Sequence, residues 1–282
     1  MAKVPGSCGE LAQGFIDGGD LLVTCPISWH SEVNISFAAD VADETKDCKA
    51  YAAVRQFLQN NGCGRPFALT VISKLPRGKG MASSSADIAA ACAAAARALD
   101  LPVTPEEIKK IALAIEPTDG VFFPGIVAFD HIRGERLINL GAPPPIKLAI
   151  FDFGGEIDTI AFNKRNDLRA LRLEKQEEFA QAYALVREGI ADGNPVLVGK
   201  GATISALANQ KILHKPYLEK MIVIGNNCGA LGVNAAHSGA VAGVLFDGAR
   251  GGELGKCVRD ILAACPGLKY LGSADLVGGG IF

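Results

Sequence analysis

Hydrophobic and polar residues alternate in two ways along this chain. Residues 21–37 place polar side chains between apolar ones, and residues 67–73 are a short, mostly apolar run; both patterns are typical of β-strands. The alanine-rich stretch at 84–99 and the segment at 105–115 instead predict helices, the second with Thr104 as its N-cap. Further strands are predicted at 125–130, 135–140, 147–153, 231–236, 241–247 and 268–274, and further helices at 45–61, 166–190, 194–208, 215–228 and 252–264.

The order of these elements predicts the fold class. Strands and helices alternate with hairpins in both halves of the chain, which favours an α+β fold over a doubly wound parallel sheet. The segment 142–145 (Ala-Pro-Pro-Pro) is the clearest break, because consecutive prolines form a stiff connector and cannot continue a strand ladder. We therefore predict an N-terminal domain at 1–142 and a C-terminal domain at 143–282, without an internal repeat.

Composition and charge narrow the class of protein. Of the 282 residues, 49% are hydrophobic and 21% are charged, so a sizeable buried core is expected and disorder is not. The formal net charge is -2 and no dense basic run occurs, which argues against nucleic acid or an anionic membrane as the main partner. Arg97 and Asp100 interrupt the longest alanine-rich run before it reaches transmembrane length, and the N-terminus lacks the pattern of a signal peptide.

The cysteine pattern indicates a reducing compartment. Eight cysteines are scattered along the chain without a C-x-x-C pair, and their spacing matches neither a zinc site nor a disulfide framework. A chain of this length needs no covalent staples, so we expect reduced, mostly buried cysteines and a cytoplasmic protein. Cys8 is the exception, because it lies within a motif.

The most informative motif is the segment 75–87 (Leu-Pro-Arg-Gly-Lys-Gly-Met-Ala-Ser-Ser-Ser-Ala-Asp), which we call the serine loop. Its small residues let the backbone approach a ligand closely, and Ser84 and Asp87 have the spacing of a capping box. The first amides of a helix lack partners and carry partial positive charge, so they favour phosphate. Lys79 adds a mobile cation, and serine hydroxyls reach phosphate oxygens or magnesium. The alternative is an ordinary capped helix entered through a flexible loop.

Two standard nucleotide motifs do not fit the serine loop. A dinucleotide fingerprint needs a third glycine where the chain has Ser83, and a Walker A loop has another spacing. The loop resembles the second motif of the GHMP kinases: a proline, three residues, then Gly-Leu-Gly-Ser-Ser-Ala. Here Pro76 is followed after three residues by Gly-Met-Ala-Ser-Ser-Ser-Ala at 80–86, with Met81 for leucine and Ala82 for glycine. In that family the loop wraps the triphosphate of ATP. The resemblance implies ATP contacts from Pro76, Gly78, Lys79, Gly80, Met81, Ala82, Ser83, Ser84 and Ser85.

The segment 4–14 (Val-Pro-Gly-Ser-Cys-Gly-Glu-Leu-Ala-Gln-Gly) predicts a loop that contains three glycines and several polar or reactive side chains. On its residues alone it is equally consistent with a surface turn between two strands. It is similar to the first GHMP motif, a Glu-bearing turn that faces the phosphoryl acceptor, although Ser7 stands where the common form has lysine. Its Ser-Cys-Gly-Glu-Leu stretch resembles the L-threonine kinases of cobalamin synthesis. The resemblance implies acceptor contacts from Ser7, Cys8, Gly9, Glu10 and Gln13, with Glu10 facing an ammonium group.

The segment 115–125 (Ile-Glu-Pro-Thr-Asp-Gly-Val-Phe-Phe-Pro-Gly), which we call the acidic turn, carries two carboxylates three residues apart. Glu116 could simply end a helix before proline, and Asp119 could belong to a plain turn. A kinase, however, needs a carboxylate to accept the hydroxyl proton and an oxygen ligand for magnesium. The family resemblance implies that Asp119 is the base and that Glu116 and Ser84 bind the metal, although the roles of the two acids could be exchanged.

A third glycine-rich segment lies at 229–243, between two predicted strands, where the family has its third motif. That motif helps to hold the acceptor and the phosphates, which implies contacts from His237, Ser238 and Gly239. A hydroxyl and a bare amide suit an anion, whereas a lone histidine is more often structural. His131, in the pair Asp-His at 130–131, either lines the acceptor site or packs in the core, and the same holds for the pair Trp-His at 29–30.

The three motifs occur in family order across nearly the whole chain. The resemblance implies a GHMP kinase fold, with a ribosomal-protein-S5-domain-2-like N-terminal half, a ferredoxin-like C-terminal half and the active site in the cleft between them. It implies an ATP-dependent, magnesium-requiring kinase for the hydroxyl of a small metabolite, with L-threonine as the favoured acceptor. Lys79 and Asp119 would act on the phosphates and on the hydroxyl, respectively. Homoserine, an isoprenoid precursor, or a non-catalytic sensor that binds a metabolite or nucleotide are the alternatives.

Overall fold

The computed structural model describes residues 1–37, 48–157, 159–250 and 253–282 of the chain. The strands are β1 Ala2–Ile16, β2 Gly19–Ser36, β3 Ala68–Ser73, β4 Ile126–Phe129, β5 Leu137–Gly141, β6 Ile146–Asp152, β7 Gly232–Ala235, β8 Val241–Asp247 and β9 Lys269–Asp275. The helices are α1 Lys49–Asn60, α2 Ser83–Ala98, α3 Pro105–Ile115, α4 Thr159–Asn163, α5 Leu168–Glu174, α6 Gln176–Ala191, α7 Pro195–Ala208, α8 Leu218–Asn227 and α9 Leu254–Ala264.

One antiparallel sheet joins all of these strands. Its order is β5-β4-β2-β1-β7-β8-β6-β9, and β3 pairs with the other part of β2. The first and second halves of the chain meet in this sheet where Glu10 of β1 lies opposite Ala235 of β7. The predicted α+β class is therefore confirmed. The boundary between 142 and 143 falls between β5 and β6, and because the sheet continues across it, the division into two domains stays a prediction.

The alanine-rich helix α2 lies in the centre of the N-terminal half. All of its residues from Ser85 to Ala96 are buried, as expected for a helix that is apolar on every side. It packs against β1, β2, α1 and α3, while α6 and α7 pack against β1 and, in the case of α7, β7. Bare glycine at Gly14 permits the approach of α6, because a Cβ there would lie 2.2 Å from the Phe179 ring. The core therefore places β1 between helices of both halves.

Three predictions about local structure need correction. The segment 4–14 is not a loop but a buried part of β1, whose pairing with β2 is irregular between Pro5 and Ala12. A bulge bends its strand locally and often contains glycine, so its residues resemble those of a turn in the sequence. The helix predicted at 166–190 is broken at Lys175 into α5 and α6, and α4 was not predicted. Positions 45–47 and 252, predicted as helical, lie outside the described residues.

The serine loop is fixed to β1 by backbone hydrogen bonds. The amide of Ser7 donates to Met81 O at 2.9 Å, and that of Gly9 donates to Gly80 O at 3.1 Å. Gly9 has a φ of +55°. A Cβ on Gly9 would also lie 2.5 Å from the amide nitrogen of Ala236 in the third glycine-rich segment. Only glycine satisfies both constraints, so this residue allows β1, the serine loop and the third segment to meet.

We expect Gly9→Ala to lower the free energy of unfolding by about 3 kcal/mol or more, because strain and overlap with backbone add. Gly62→Ala is the matched control: Gly62 has a φ of +66°, but no atom of the described residues lies within 4 Å of the point that an added Cβ would occupy. Gly62→Ala should lower the free energy of unfolding by about 1 kcal/mol, because only the left-handed backbone conformation is unfavourable there. Urea unfolding of both variants measures the difference, and equal losses would contradict the close approach at Gly9.

Candidate active site

A cleft opens where the serine loop, β1, the acidic turn and the residues after β4 and β7 meet. Of the residues predicted from the sequence, it is lined by Glu10, Gln13, Gly78, Gly80, Met81, Ala82, Ser83, Ser84, Ser85, Glu116, Asp119 and Ser238. Its lining also includes Lys49, which sequence analysis missed, and His131, which was left open between two roles. The other predicted residues lie outside this lining: Ser7, Cys8, Gly9, Pro76, Lys79, His237 and Gly239.

Positive φ angles shape the serine loop at the entrance of α2. Gly78 and Gly80 have φ values of +67° and +79°. Ala82, the N-cap residue of α2, has a φ of +51°, in the left-handed region that favours glycine. The first helical hydrogen bond runs from Ala86 N to Ala82 O at 2.9 Å, so the amides of residues 83–85 lie at the helix entrance. This backbone suits a phosphate group, and the phosphate contacts of the serine loop stay a prediction.

The capping box predicted from Ser84 and Asp87 is wrong. α2 has no side-chain cap, and the hydroxyl of Ser84 donates to Glu116 Oε1. Asp87 accepts a hydrogen bond from the Ser31 hydroxyl at 2.5 Å and lies 3.7 Å from Arg77. Spacing alone cannot tell a cap from a contact made across the fold. The consequence is functional, since Ser84 faces the acidic turn instead of its own helix.

Two neighbours hold the carboxylate of Glu116. Glu116 is the C-cap of α3 and has an extended backbone, as expected for a residue before proline. Its Oε1 accepts from Ser84, and its Oε2 contacts the ammonium group of Lys49 at the start of α1. Lys49 and Glu116 are 67 positions apart, and no local pattern marks the pair. Lys49 therefore brings a positive charge into the cleft that only the tertiary fold reveals.

Asp119 is the carboxylate with the strongly perturbed acidity. Its amide donates to Ser85 Oγ at 3.0 Å, and the hydroxyl of Thr118 donates to the same oxygen at 2.9 Å, which fixes the acidic turn on α2. Burial, with a smaller contribution from the charges of Glu10 and Glu116, raises the pKa of Asp119 to about 7. A carboxyl group with this pKa accepts a proton more readily than an ordinary aspartate, which suits a general base.

The adjacent oxygens of Ser84 and Glu116 fit magnesium. Mg²⁺ prefers hard oxygen ligands and is usually held by one or two carboxylates together with water and substrate phosphates. No cluster of three or more histidine, cysteine, aspartate or glutamate side chains that could hold a metal occurs among the described residues. An ion at Ser84 and Glu116 would therefore take its other ligands from the phosphates and from water.

A buried hydrogen-bond chain fixes Glu10. Its Oε2 accepts from the amide of His237 at 2.8 Å and from the ring Nδ1 of the same residue at 3.1 Å. His237 Nε2 lies 2.9 Å from the Ser205 hydroxyl, whose oxygen also accepts from the amide of Gln13 at 3.1 Å. His237 therefore orients Glu10 from behind instead of lining the cleft.

Besides His237, four predicted acceptor contacts lie outside the cleft lining: Ser7, Cys8, Gly9 and Gly239. The Ser7 hydroxyl donates to Gly9 O at 2.6 Å, and Cys8 is fully buried. Burial raises the pKa of the Cys8 thiol well above its usual value, so this cysteine is unreactive. A Cβ on Gly239 would lie 2.4 Å from Gly80 Cα. The structure thus uses these small residues to support the serine loop.

All eight cysteines are free, and Cys48 and Cys63 are the half-buried ones.

Lys79 points away from the cleft lining. Its ammonium group lies 3.0 Å from Asp152 Oδ2 and donates to Gly155 O at 2.6 Å. The cation next to the serines in the sequence is thus paired with the loop after β6, whereas Lys49 lines the cleft. The predicted role of Lys79 as a phosphate contact stays a prediction, and Pro76 likewise.

A second cavity adjoins the cleft on the far side of the serine loop. It shares Lys49, Gly78, Ser83 and Ser84 with the cleft. Its other walls are Cys48, Ala50, Val71, Arg77 and Asp87. Gly78, Ser83 and Ser84 of the serine loop therefore border both cavities.

Residues 49–123, which include the serine loop and most of the acidic turn, match the family described as GHMP kinases N terminal domain. The chain is 33% identical over 249 residues to an L-threonine kinase of Salmonella typhimurium, an alignment that covers 88% of this chain and 83% of that protein. An L-threonine kinase of Citrobacter freundii is also 33% identical, with 88% and 86% of the two chains covered.

Solved structures share the fold at low sequence identity. Mevalonate kinase of L. major, determined in complex with R-mevalonate, has a TM-score of 0.70 and 17% identity, covering 99% of this chain and 95% of that one. Homoserine kinase of Cytophaga hutchinsonii has a TM-score of 0.71 and 14% identity, with 100% and 96% covered. At this identity the likeness concerns the fold alone.

The relatives at 33% identity and the matched family place the chain among phosphotransferases that act on small molecules. Sequence identity and the matched motifs make the assignment specific: the chain belongs to the GHMP kinase family and is a kinase that phosphorylates a hydroxyl group. In the part of the chain that the structure describes, no helix has the length and apolar character needed to cross a membrane.

The raised pKa of Asp119 predicts a dependence of stability on pH. Because this pKa is about 7 in the folded protein and about 4 in an unfolded chain, the native state favours the protonated form. The free energy of unfolding should therefore fall as the pH rises from about 4 to about 7, by an amount on the order of 3 kcal/mol.

Asp119→Asn should remove this fall, so the variant should be more stable than the wild type at pH 8. Urea unfolding at pH 5 and pH 8 measures it, with the exposed Asp192→Asn as the control. Identical pH profiles for Asp119→Asn and the wild type would show that Asp119 does not titrate near neutrality.

Proposed function

We propose that this protein transfers the γ-phosphoryl group of ATP to the hydroxyl of L-threonine, with magnesium as the cofactor. The observation that carries the proposal is the position of Asp119, a carboxylate with a raised pKa, in the same cleft as the open amide end of α2. The name of the two relatives at 33% identity supports threonine as the acceptor. Cytoplasmic localisation, two domains divided near residue 142, and the absence of nucleic-acid and membrane partners belong to the same proposal.

The phosphates of ATP would lie against the serine loop. Amides at residues 83–85 and the partial positive charge of the α2 N-terminus would neutralise phosphate oxygens without any movement. Lys49, which lines the same cleft, would supply a full charge. The adjoining cavity, whose lining includes Ala50, Val71 and Asp87, would accept the nucleoside. Catalysis would consist chiefly of positioning and charge neutralisation.

Asp119 would accept the proton of the threonine hydroxyl. A base must be unprotonated before the reaction, and a pKa of about 7 leaves a large part of the Asp119 population in that form at neutral pH. Glu10, fixed by His237, would bind the ammonium group of the amino acid. Ser84 and Glu116 would hold magnesium, which supplies charge neutralisation at the phosphates. Binding of the metal would replace the contact between Glu116 and the ammonium group of Lys49.

We expect Asp119→Asn to lower turnover about a hundredfold or more while ATP binding changes little, because the variant loses a base but no phosphate contact. Turnover is measured by ADP release with L-threonine, L-serine and L-homoserine, and ATP binding by calorimetry. Highest kcat/KM with threonine supports the proposed acceptor. Preference for homoserine would assign the protein a different acceptor, and unchanged turnover of Asp119→Asn would remove Asp119 from the mechanism.

The two lysines near the serine loop should differ in importance. We expect Lys49→Met to lower kcat/KM for ATP about tenfold or more, since a charged group is lost from the cleft. Lys79→Met should have a smaller effect, because Lys79 lies outside the cleft lining and Lys49 within it. The two variants remove the same charge, one from the cleft lining and one from outside it, so each is the control of the other. The reverse order would favour Lys79 as the phosphate contact.

A further inference from the structure

We propose that Gln13 and His131 form a neutral donor–acceptor pair that recognises the amino-acid part of the phosphoryl acceptor, with the His131 ring donating to its carboxylate and the Gln13 carbonyl accepting from its ammonium group. This rests on the proposed function, and it adds the residues that would select an α-amino acid over amino alcohols and hydroxy acids. It also gives His131 a defined role where the sequence left two possibilities.

The two side chains contact each other at the cleft wall. Gln13 is 3% and His131 is 5% exposed, and both line the cleft that contains Asp119. Gln13 Nε2 lies 3.2 Å from His131 Nε2. The backbone carbonyl of His131 accepts from the amide of Thr118 at 3.0 Å, which ties it to the acidic turn next to the base. The pair is therefore beside the place where a hydroxyl would react.

Each member of the pair has one buried polar atom without a hydrogen-bond partner among the described residues: Gln13 Oε1 and His131 Nδ1. Buried polar atoms are nearly always paired, and an unpaired one costs about 1–3 kcal/mol. Two such atoms on touching side chains in a substrate cleft are best explained by a ligand that provides both partners. Most of the other buried polar groups nearby, including Glu10 and His237, already have partners within the protein.

The chemistry of the pair decides which ligand group each atom takes. Burial, with the positive charge of Arg172 and the neighbouring His237, lowers the pKa of His131 to about 3, so the ring is neutral. A neutral ring has one donor and one acceptor nitrogen. With Gln13 oriented so that its amide Nε2 lies 3.2 Å from His131 Nε2, the amide is the donor of this contact, and we assign the ring proton to Nδ1. The free atoms are thus an N–H donor on His131 and a carbonyl acceptor on Gln13.

An α-amino acid supplies the complementary groups on one carbon. Its carboxylate accepts from the His131 N–H, and its ammonium group donates to the Gln13 carbonyl and to Glu10. Glu10 and Gln13 both line the cleft although they are three positions apart in one strand, where regular alternation would place them on opposite faces. The irregular register between Glu10 and Ala12 removes this conflict. The bulge in β1 therefore brings the two ammonium partners to the same side.

Two substitutions of His131 separate recognition from packing. In His131→Asn the amide nitrogen takes the place of Nδ1, so the donor is kept and the contact with Gln13 is lost. In His131→Gln the amide takes the place of Nε2, so the contact with Gln13 is kept and the Nδ1 donor is lost. Each variant is assayed with L-threonine and with 1-aminopropan-2-ol, which has the hydroxyl and the amine but no carboxylate.

We expect His131→Gln to lower kcat/KM for threonine about 10–100-fold, the scale for a hydrogen bond to a charged group, and to change that for 1-aminopropan-2-ol less than about threefold. His131→Asn should lower both values alike and keep their ratio, and the KM for ATP should be unchanged in both variants. Gln13→Met, which removes the carbonyl, should reduce the preference for threonine over 3-hydroxybutanoate in the same way.

The possible results distinguish this inference from the function on which it rests. If the wild type phosphorylates threonine and both His131 variants keep its preference for the carboxylate, the pair does not recognise the acceptor, although the proposed function stands. If His131→Asn and His131→Gln lose the preference for threonine over 1-aminopropan-2-ol to the same extent, the inference is also contradicted, since that pattern indicates packing alone. A wild type that does not phosphorylate threonine overturns both proposals.

Discussion

Mutual repulsion of carboxylates in one cleft is the constraint on which the rest of this site depends. Glu10, Glu116 and Asp119 approach each other in partly buried surroundings, where like charges repel strongly. The fold gives each acid a different set of partners. Glu116 has a lysine and a serine, Glu10 has the amide and ring of His237, and the Asp119 carboxylate is left with burial and its acidic neighbours. This difference is the basis on which we propose a metal ligand, an ammonium partner and a base among the three acids.

The first motif is a bulged part of β1 and not the loop that its glycines suggest. A regular strand would present alternate side chains to the cleft, whereas the irregular pairing with β2 lets Glu10 and Gln13 both reach it. The small residues Ser7 and Gly9 before them then contact the serine loop through their amides. Much of the first motif is therefore devoted to holding the phosphate loop and the acids in register, and only part of it faces a substrate.

The sequence predicted most strands and helices, because their periodicity is local, and it predicted the residues of the serine loop and the acidic turn, because each lies on one short segment. It did not predict contacts between distant segments. Lys49 meets Glu116 across 67 positions, and Ser84 is bonded to the acidic turn instead of capping its helix. The bulge that brings Glu10 and Gln13 to the same side of β1 was not predicted either, since a bulge has no fixed residue pattern. Contacts between segments that are distant in the sequence can be identified only in the structure.

Charge balance in the cleft limits which substrates it can accept. Lys49 is the lysine of the lining and is already paired with Glu116, so the three carboxylates exceed the lining's own positive charge. A triphosphate would add further negative charge, which the amide end of α2 offsets only in part. In the proposed function, cations would therefore enter with the substrates: the divalent ion that accompanies ATP and the ammonium group of the acceptor. A neutral His131, which donates a hydrogen bond without charge, fits an acceptor that carries both an ammonium group and a carboxylate.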